Sequence, residues 1–189
     1  MALIQRFISN SHGGAMLEFA FAMPVMLGML MGGFEFARFA LVNQKMERVT
    51  TFVGDLVARA EALDEGDFDD YFAAAGQLGV PFDLFADGNI IVTSVTGEDT
   101  GPEVLWQQVG GGSVLQASQV GAPGDSAVLP PSFNVDEGEG LVITEVYFDF
   151  QPVLLASLIL AGGFTISRFT VRDARQSWLC RRNRSNAKY

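Results

Sequence analysis

Hydrophobic positions in the first third of the chain form an apolar block and then a periodic stripe. The block covers residues 14–42, and its only charged side chains are Glu18, Glu35 and Arg38. Beyond it, apolar residues recur at steps of three and four, at Met46, Val49, Val53, Leu56, Val57 and Ala60. That spacing is typical of one face of an amphipathic helix. The two patterns together predict one continuous helix over residues 14–63.

The remainder of the chain contains one more helical pattern and several stretches in which residue types alternate as they do in strands. An acidic start and a Gly stop predict a short helix over residues 68–78. Alternating β-formers predict a hairpin over residues 89–109 and strands over 140–150 and 164–172. The Gly- and Pro-rich residues 110–140 between them predict a long surface loop that is functional or mobile. These elements predict an α+β fold with an antiparallel sheet.

The apolar block is long enough to cross a bilayer, which takes about 20 residues. Membrane helices tolerate the kink expected at Pro24. Basic residues flank the block on both sides, so the positive-inside rule does not orient it. Residues 49–150 contain eighteen Asp or Glu and a single base, Arg59. This acidic composition favours an exported domain and a cytoplasmic N-terminus. A cleaved secretory signal is the weaker alternative, because its core would be only ~7–15 residues long.

Charges inside the block are expected to be paired, because an isolated charge at bilayer depth is costly. Glu35 and Arg38 are three residues apart and can pair on one helical face, at the far membrane interface. A second apolar run, residues 151–167, is a further candidate span. Its ~17 residues are at the lower limit of spanning length. A buried helix followed by a strand is therefore the favoured interpretation of this run.

Charge and composition narrow the function classes. The formal net charge is −10, and the acidic middle of the chain repels nucleic acid, so no nucleic-acid partner is expected. Seven of the twelve Lys and Arg lie from Arg168 onward, and the basic tail 176–189 is expected to be solvated. Cys180 is the single cysteine, which excludes an intrachain disulfide.

Candidate catalytic chemistry is sparse. The sole histidine, His12, leaves no Ser-His-Asp, Cys-His or multi-histidine zinc constellation for the downstream domain. The carboxylates of residues 64–70 miss the EF-hand order and are expected to be a solvated helix start. Trp106, Tyr147 and Phe148 lie in predicted strands, where aromatic side chains are more often core than sugar-binding. No catalytic residue, metal or cofactor is predicted.

The stretch "HGGAMLEFAFAMPVMLGMLMGGFEFAR", residues 12–38, resembles the TadE-like family. This family comprises minor pseudopilins and related proteins of tight-adherence (Flp-type) pili. The resemblance is carried by Gly13, Glu18, Phe19, Met23, Pro24, Gly32, Glu35 and Arg38. Phe19 stands where a pilin cleavage motif more often has Tyr. Segments such as "VLWQQVGGG" resemble the family's exported portion more weakly.

The resemblance implies a non-enzymatic, single-pass protein of the bacterial inner membrane that acts in pilus assembly. Its expected partners are other pilin or pseudopilin subunits, a prepilin peptidase, the inner-membrane platform and the lipid bilayer. The expected organisation is a cytoplasmic leader 1–13, a membrane helix 14–42, an exported α+β domain 43–175 and the tail 176–189. The alternative from another class is a membrane-anchored exported hydrolase or glycan-binding module.

The resemblance also implies a processing site at Gly13, Gly14, Glu18 and Phe19. A cut between Gly13 and Gly14 would make Glu18 the fifth residue of a helix that begins with a free amine. Glu18 of one subunit could then pair with the amine of a neighbour, since two groups that are costly alone in lipid become tolerable together. A cut after Gly14 would place Glu18 fourth. The alternative is a plain anchor with Glu18 in the headgroup region.

Overall fold

The computed structural model describes residues 12–60, 62–112, 116–131, 133–154 and 163–174. By their contacts the residues group into two compact units. The N-terminal unit comprises Met1–Phe39 and Pro152–Gly162, and the sheet unit comprises Ala40–Gln151 and Gly163–Tyr189. Most of the expected leader 1–13 and the whole of the basic tail 176–189 lie outside the described residues.

The first element, helix α1, is His12–Arg59, 48 residues with Pro24 inside it. It ends four residues earlier than the hydrophobic pattern predicts. From Gly14 to Arg59 it is long and apolar enough to cross a membrane, and it is the one such helix among the described residues. Single-pass membrane topology therefore fits this part of the chain.

Among its described residues, the sheet unit contains two shorter helices and four strands. These are α2 Glu65–Gly79, α3 Leu84–Asp87, β1 Gly88–Glu98, β2 Gly101–Gly111, β3 Gly140–Phe150 and β4 Phe164–Asp173. Neighbouring strands pair antiparallel in the order β2-β1-β3-β4. The predicted α+β layout of a long helix and an antiparallel sheet is confirmed, and the predicted hairpin and strands agree with β1 to β4 within two residues. Among the helices and strands of the described residues, only α3 had no counterpart in the sequence prediction.

The second half of α1 packs on the sheet through the predicted stripe. Its side chains Val42, Met46, Val49, Val53 and Val57 are fully buried. Gly54 permits the close approach, because a Cβ at this position would lie 2.7 Å from Thr170 Cγ2 and 3.3 Å from Thr144 Oγ1. The helix therefore lies directly on β3 and β4, which carry these two threonines.

Polar contacts join the same half of α1 to β4. Arg172 Nε donates to Asp55 Oδ1 at 2.6 Å. Arg168 donates to the Asn43 side chain and lies 3.7 Å from Glu47 Oε2. The basic side chains of β4 thus meet acidic and amide groups of the helix.

Helix α2 packs on the same sheet face through aromatic side chains. Its N-terminus is closed by a capping box in which Asp64 and Asp67 each accept from the other's backbone N–H. Phe68 meets Trp106 edge-on at 5.4 Å between ring centroids. Phe72 lies over Gly110, where a Cβ would approach the ring to 2.2 Å. The acidic run predicted as a helix start therefore includes the cap of α2.

The other face of the sheet is covered by the segment between β2 and β3. We call residues 116–131 and 133–139 the covering loop. A buried apolar cluster joins the loop to the strands and consists of Val95, Val104, Val120, Ala127 and Ile143. An antiparallel bridge between Glu103 and Ser126 pairs the loop with β2. The described part of this loop is thus a layer of the fold, where the sequence predicted a surface loop.

The run left open as a second membrane span, residues 151–167, is described in part. Its last residues, from Phe164, belong to β4. Its central residues 155–162 lie outside the described residues. The strand that the favoured interpretation placed after this run is therefore present.

Candidate functional site: the apolar helix and its carboxylates

The first half of α1, residues 14–39, exposes large apolar side chains on all sides. Those with more than half of their surface exposed include Met16, Phe21, Met26, Met29, Leu30 and Phe36. The most apolar 18-residue window of the helix has none of its residues buried. Soluble proteins rarely expose contiguous apolar patches of this extent, which mark sites of membrane or protein interaction.

The residues of the predicted processing site lie in the first turns of α1. Gly13 lies one residue after the helix begins, and Gly14, Glu18 and Phe19 are all exposed. Residues four apart lie on one face of a helix, so Glu18 lies one turn beyond Gly14 on the same side. Apart from its chain neighbours and the helix's own backbone, no heavy atom of the described residues lies within 4 Å of the position that a Cβ on Gly14 would take.

Glu35 is in a different environment, since only 6 % of its surface is exposed. Its Oε1 accepts a hydrogen bond from Arg38 Nη1 at 2.9 Å and one from the Val153 backbone N–H at 3.1 Å. Its Oε2 accepts from the Leu154 backbone N–H at 3.0 Å. The carboxylate thus ties α1 to a segment of the N-terminal unit that lies far along the chain.

The structure brings together Glu35 and Arg38, two of the three residues predicted to pair in the membrane helix. Glu18, the third, lies 17 residues before Glu35 and is exposed. The contacts to Val153 and Leu154 had not been foreseen. These contacts join residues 118 and 119 positions apart, so no local pattern in the sequence indicates them.

A second buried carboxylate, Glu145, lies in the sheet unit and is 4 % exposed. Its Oε1 accepts from the Gln119 backbone N–H at 3.0 Å and from the Tyr147 hydroxyl at 2.9 Å. Its Oε2 accepts from the Ser118 hydroxyl. Burial, and then the contact with Glu145, raise the pKa of Tyr147 well above its usual range.

Sequence reasoning missed Glu145 because the covering loop supplies two of its partners. The pattern of β3 is hydrophobic along its whole length, and one Glu within it indicates neither burial nor partners. Tyr147 itself had been predicted as a core aromatic, and it is buried, as are Trp106 and Phe148.

Within the described ranges, no group of three or more His, Cys, Asp or Glu is placed to hold a metal ion. In the acidic start of α2, Asp64 and Asp67 bond to the backbone as caps. Tyr71 lies beside these carboxylates, and burial followed by their negative charge raises its pKa. In this acidic run, Asp64 and Asp67 therefore cap the N-terminus of α2.

Comparison with known proteins gives one match. The family model described as TadE-like protein matches residues 13–52. No curated protein and no solved structure matches the chain significantly. The matched segment covers the exposed half of α1 and residues 40–52 of its packed half. It confirms the resemblance to the TadE-like family for this segment, and it associates the chain with the tight-adherence pilus system.

Proposed function

We propose that this chain is a non-enzymatic minor pseudopilin or membrane-anchored assembly factor of tight-adherence (Flp-type) pili. In this proposal α1 crosses the bacterial inner membrane with its N-terminus in the cytoplasm, and the sheet unit is periplasmic. The observation that carries it is the exposed apolar surface of residues 14–39, which coincides with most of the segment matched by the TadE-like family. A surface of this kind needs lipid or other helices around it.

The function we propose is non-covalent helix packing. Residues 14–39 pack beside the helices of other pilin subunits or of the inner-membrane platform. Small residues at helix interfaces let backbones approach closely. Gly28, Gly32 and Gly33 have open space where a side chain would be, so they are available for such contacts.

Glu18 is the group that we assign to pairing between subunits. The Glu35 carboxylate already accepts three hydrogen bonds within its own chain, whereas Glu18 is exposed. A charged side chain within a membrane helix costs about 2.5–3.5 kcal/mol on insertion scales. The amine released by a cut between Gly13 and Gly14 would offset this cost by pairing with Glu18 of a neighbouring subunit.

The test of processing is the intact mass and N-terminal residue of the protein, expressed with and without a matching prepilin peptidase. We expect a new terminus at Gly14 that depends on the peptidase. Gly13→Leu should block the cut, and Gly28→Leu, a matched change deeper in the same helix, should not. A Met1 terminus under both conditions would remove the pseudopilin half of the proposal and leave the anchored assembly factor.

The test of packing is photo-crosslinking in membranes that contain the pilus system. A photoreactive leucine at position 30, which is exposed, should crosslink to the helix of another pilus subunit. The same residue at position 53, which is fully buried on the sheet, should give only links within the chain. Links from position 30 to lipid alone would show a plain anchor and contradict the packing role.

A further inference from the structure

A cleft of about 230 Å³ lies between the covering loop and strands β3 and β4. Its walls are mainly apolar and include Val128, Leu129, Pro130 and Phe169, and Glu145 and Tyr147 also line it. Most small-molecule sites enclose roughly 300–1,000 Å³. This cleft is smaller, and its volume suits one long side chain.

The charge in this cleft is unbalanced. Glu145 is its one acidic lining residue and accepts hydrogen bonds from Ser118, Gln119 and Tyr147. All three donors are neutral groups, and an ionised carboxylate offers about four acceptor positions. Within the described ranges Glu145 takes part in no ion pair. One acceptor position and the negative charge therefore remain for a ligand.

The one basic residue among those that line the cleft, Arg168, has its charged group directed away from Glu145. Arg168 contributes to the lining, but its guanidinium donates to the Asn43 side chain and to the Ser167 carbonyl. The same guanidinium lies near Glu47 on helix α1. Arg168 is thus committed to the opposite face of the sheet from Glu145, because residues on β4 alternate between the two faces.

An aromatic ring stands beside the carboxylate. Phe169 is the direct antiparallel partner of Glu145 in the β3–β4 register, so their side chains share one face. The Phe169 side chain is 59 % exposed, and Val128 on the loop side is 68 % exposed. A ring face next to a carboxylate favours an ammonium or guanidinium group, and the apolar walls suit the aliphatic stem of Lys or Arg.

We propose that this cleft binds one cationic side chain, Lys or Arg, presented by a partner protein. The carboxylate of Glu145 receives the charged head group, Phe169 packs against it, and the walls formed by Val128, Leu129 and Pro130 hold the stem. This inference concerns the sheet unit alone and does not rest on the proposed pilus function.

The test uses the full chain in lipid nanodiscs with small-molecule probes. The probe is N-acetyl-arginine methylamide, and its control is N-acetyl-citrulline methylamide, a neutral molecule of nearly the same shape. Saturation-transfer NMR gives the two dissociation constants. We expect the arginine probe to bind at least about tenfold more tightly, because a charge-assisted contact exceeds the ~1.4 kcal/mol that a factor of ten represents.

Variants distinguish the site from general attraction to an acidic protein. Glu145→Gln should reduce the preference for arginine to about one, whereas Asp99→Asn in the exposed β1–β2 turn should leave it unchanged. Phe169→Ala changes an exposed side chain and should weaken the arginine probe several-fold without unfolding the domain. Equal binding of the two probes, or a preference that survives Glu145→Gln, would overturn the proposal.

A truncated chain tests the source of the cation. Removing the basic residues 176–189 should leave the affinity for the arginine probe unchanged if a partner protein supplies the side chain. Binding that is seen only after this truncation would identify the occupant as the chain's own tail and would overturn the assignment to a partner.

Discussion

The two halves of helix α1 lie in opposite environments and differ in how their apolar residues are arranged. Residues 14–39 are mostly apolar and exposed, apart from the buried Glu35, whereas residues 40–59 carry an apolar stripe that is buried on the sheet. The stripe has the spacing of a helix that is solvated on its other side. The first half has no polar side, so water is not a suitable surrounding for any part of it. One helix thus passes through two environments, and the spacing of its apolar residues shows where one environment ends and the other begins.

Glycine has a different role in the two halves. Gly54 lies where a Cβ would collide with Thr170, so the helix can approach the sheet only without a side chain there. Gly28, Gly32 and Gly33 have nothing within 4 Å of the same position. Packing within the chain therefore accounts for Gly54, while the described residues make no such contact with the three glycines of the first half.

The largest expected effect comes from truncating a buried methionine of the second half. Met46→Ala should lower the free energy of unfolding of the sheet unit by about 2–5 kcal/mol, because it leaves a cavity under a fully buried side chain. Chemical denaturation of the full chain in detergent, followed by near-UV circular dichroism, measures this change. Met26→Ala in the exposed half is the matched control and should change that free energy by less than about 0.5 kcal/mol. Equal losses would contradict the division of the helix.

The next effect comes from adding one methyl group to each half. Gly54→Ala should destabilise the sheet unit by about 1–3 kcal/mol, since overpacking against Thr170 outweighs the better helix propensity of Ala. Gly33→Ala should leave the sheet unit's unfolding midpoint unchanged. Adding Thr170→Ser, which removes the clashing methyl, should restore most of the loss, and the same denaturation experiment would show no recovery if the collision lay elsewhere.

A smaller effect is expected from neutralising Glu35, with the neutralisation of Glu18 in the same half as the control. Glu35→Gln weakens the charge-assisted bonds to the Val153 and Leu154 N–H groups, so these amides should exchange about tenfold faster. Hydrogen exchange read by mass spectrometry measures the rate. Glu18→Gln should leave the same amides unchanged, because Glu18 does not contact them. Acceleration by both variants would show a general loosening of the helix.

The smallest effect concerns the ion pair at the edge of the second half. Arg172→Gln removes the contact with Asp55, and both side chains are more than a third exposed, so the loss should stay below about 1 kcal/mol. The loss should shrink further in 1 M salt. Thermal unfolding at low and high salt measures it, with Arg48→Gln on an exposed position of α1 as the control. A salt-independent loss of several kcal/mol would contradict an exposed pair.

The fold could be predicted from sequence where one local pattern decides the element. The bounds of β3 follow from a dense run of β-formers, and α2 follows from the acidic cap at Asp64 and the stop at Gly79. The end of α1 at Arg59 was missed by four residues, because apolar residues continue at the same steps beyond the last turn. Helix α3 is only four residues long, which is too short to show a period.

The contacts at the two carboxylate sites were harder to predict from the sequence, because the residues that make them lie far apart along the chain. The Glu35–Arg38 pair is local, and spacing alone suggested it. The bonds of Glu35 to Val153 and Leu154 and the burial of Glu145 under the covering loop both depend on tertiary packing. No period of three, four or two residues encodes such contacts.

The hydrogen bond from the Val153 N–H to Glu35 has a consequence for the order in which contacts can form during synthesis. The two residues are 118 positions apart. At a translation rate of roughly 5–20 residues per second, the ribosome needs about 6–24 s to make the intervening chain. Throughout that interval, Arg38 is the one partner of Glu35 described here that already exists. The carboxylate of the nascent helix therefore lacks its two backbone partners until three of the four strands have been synthesised.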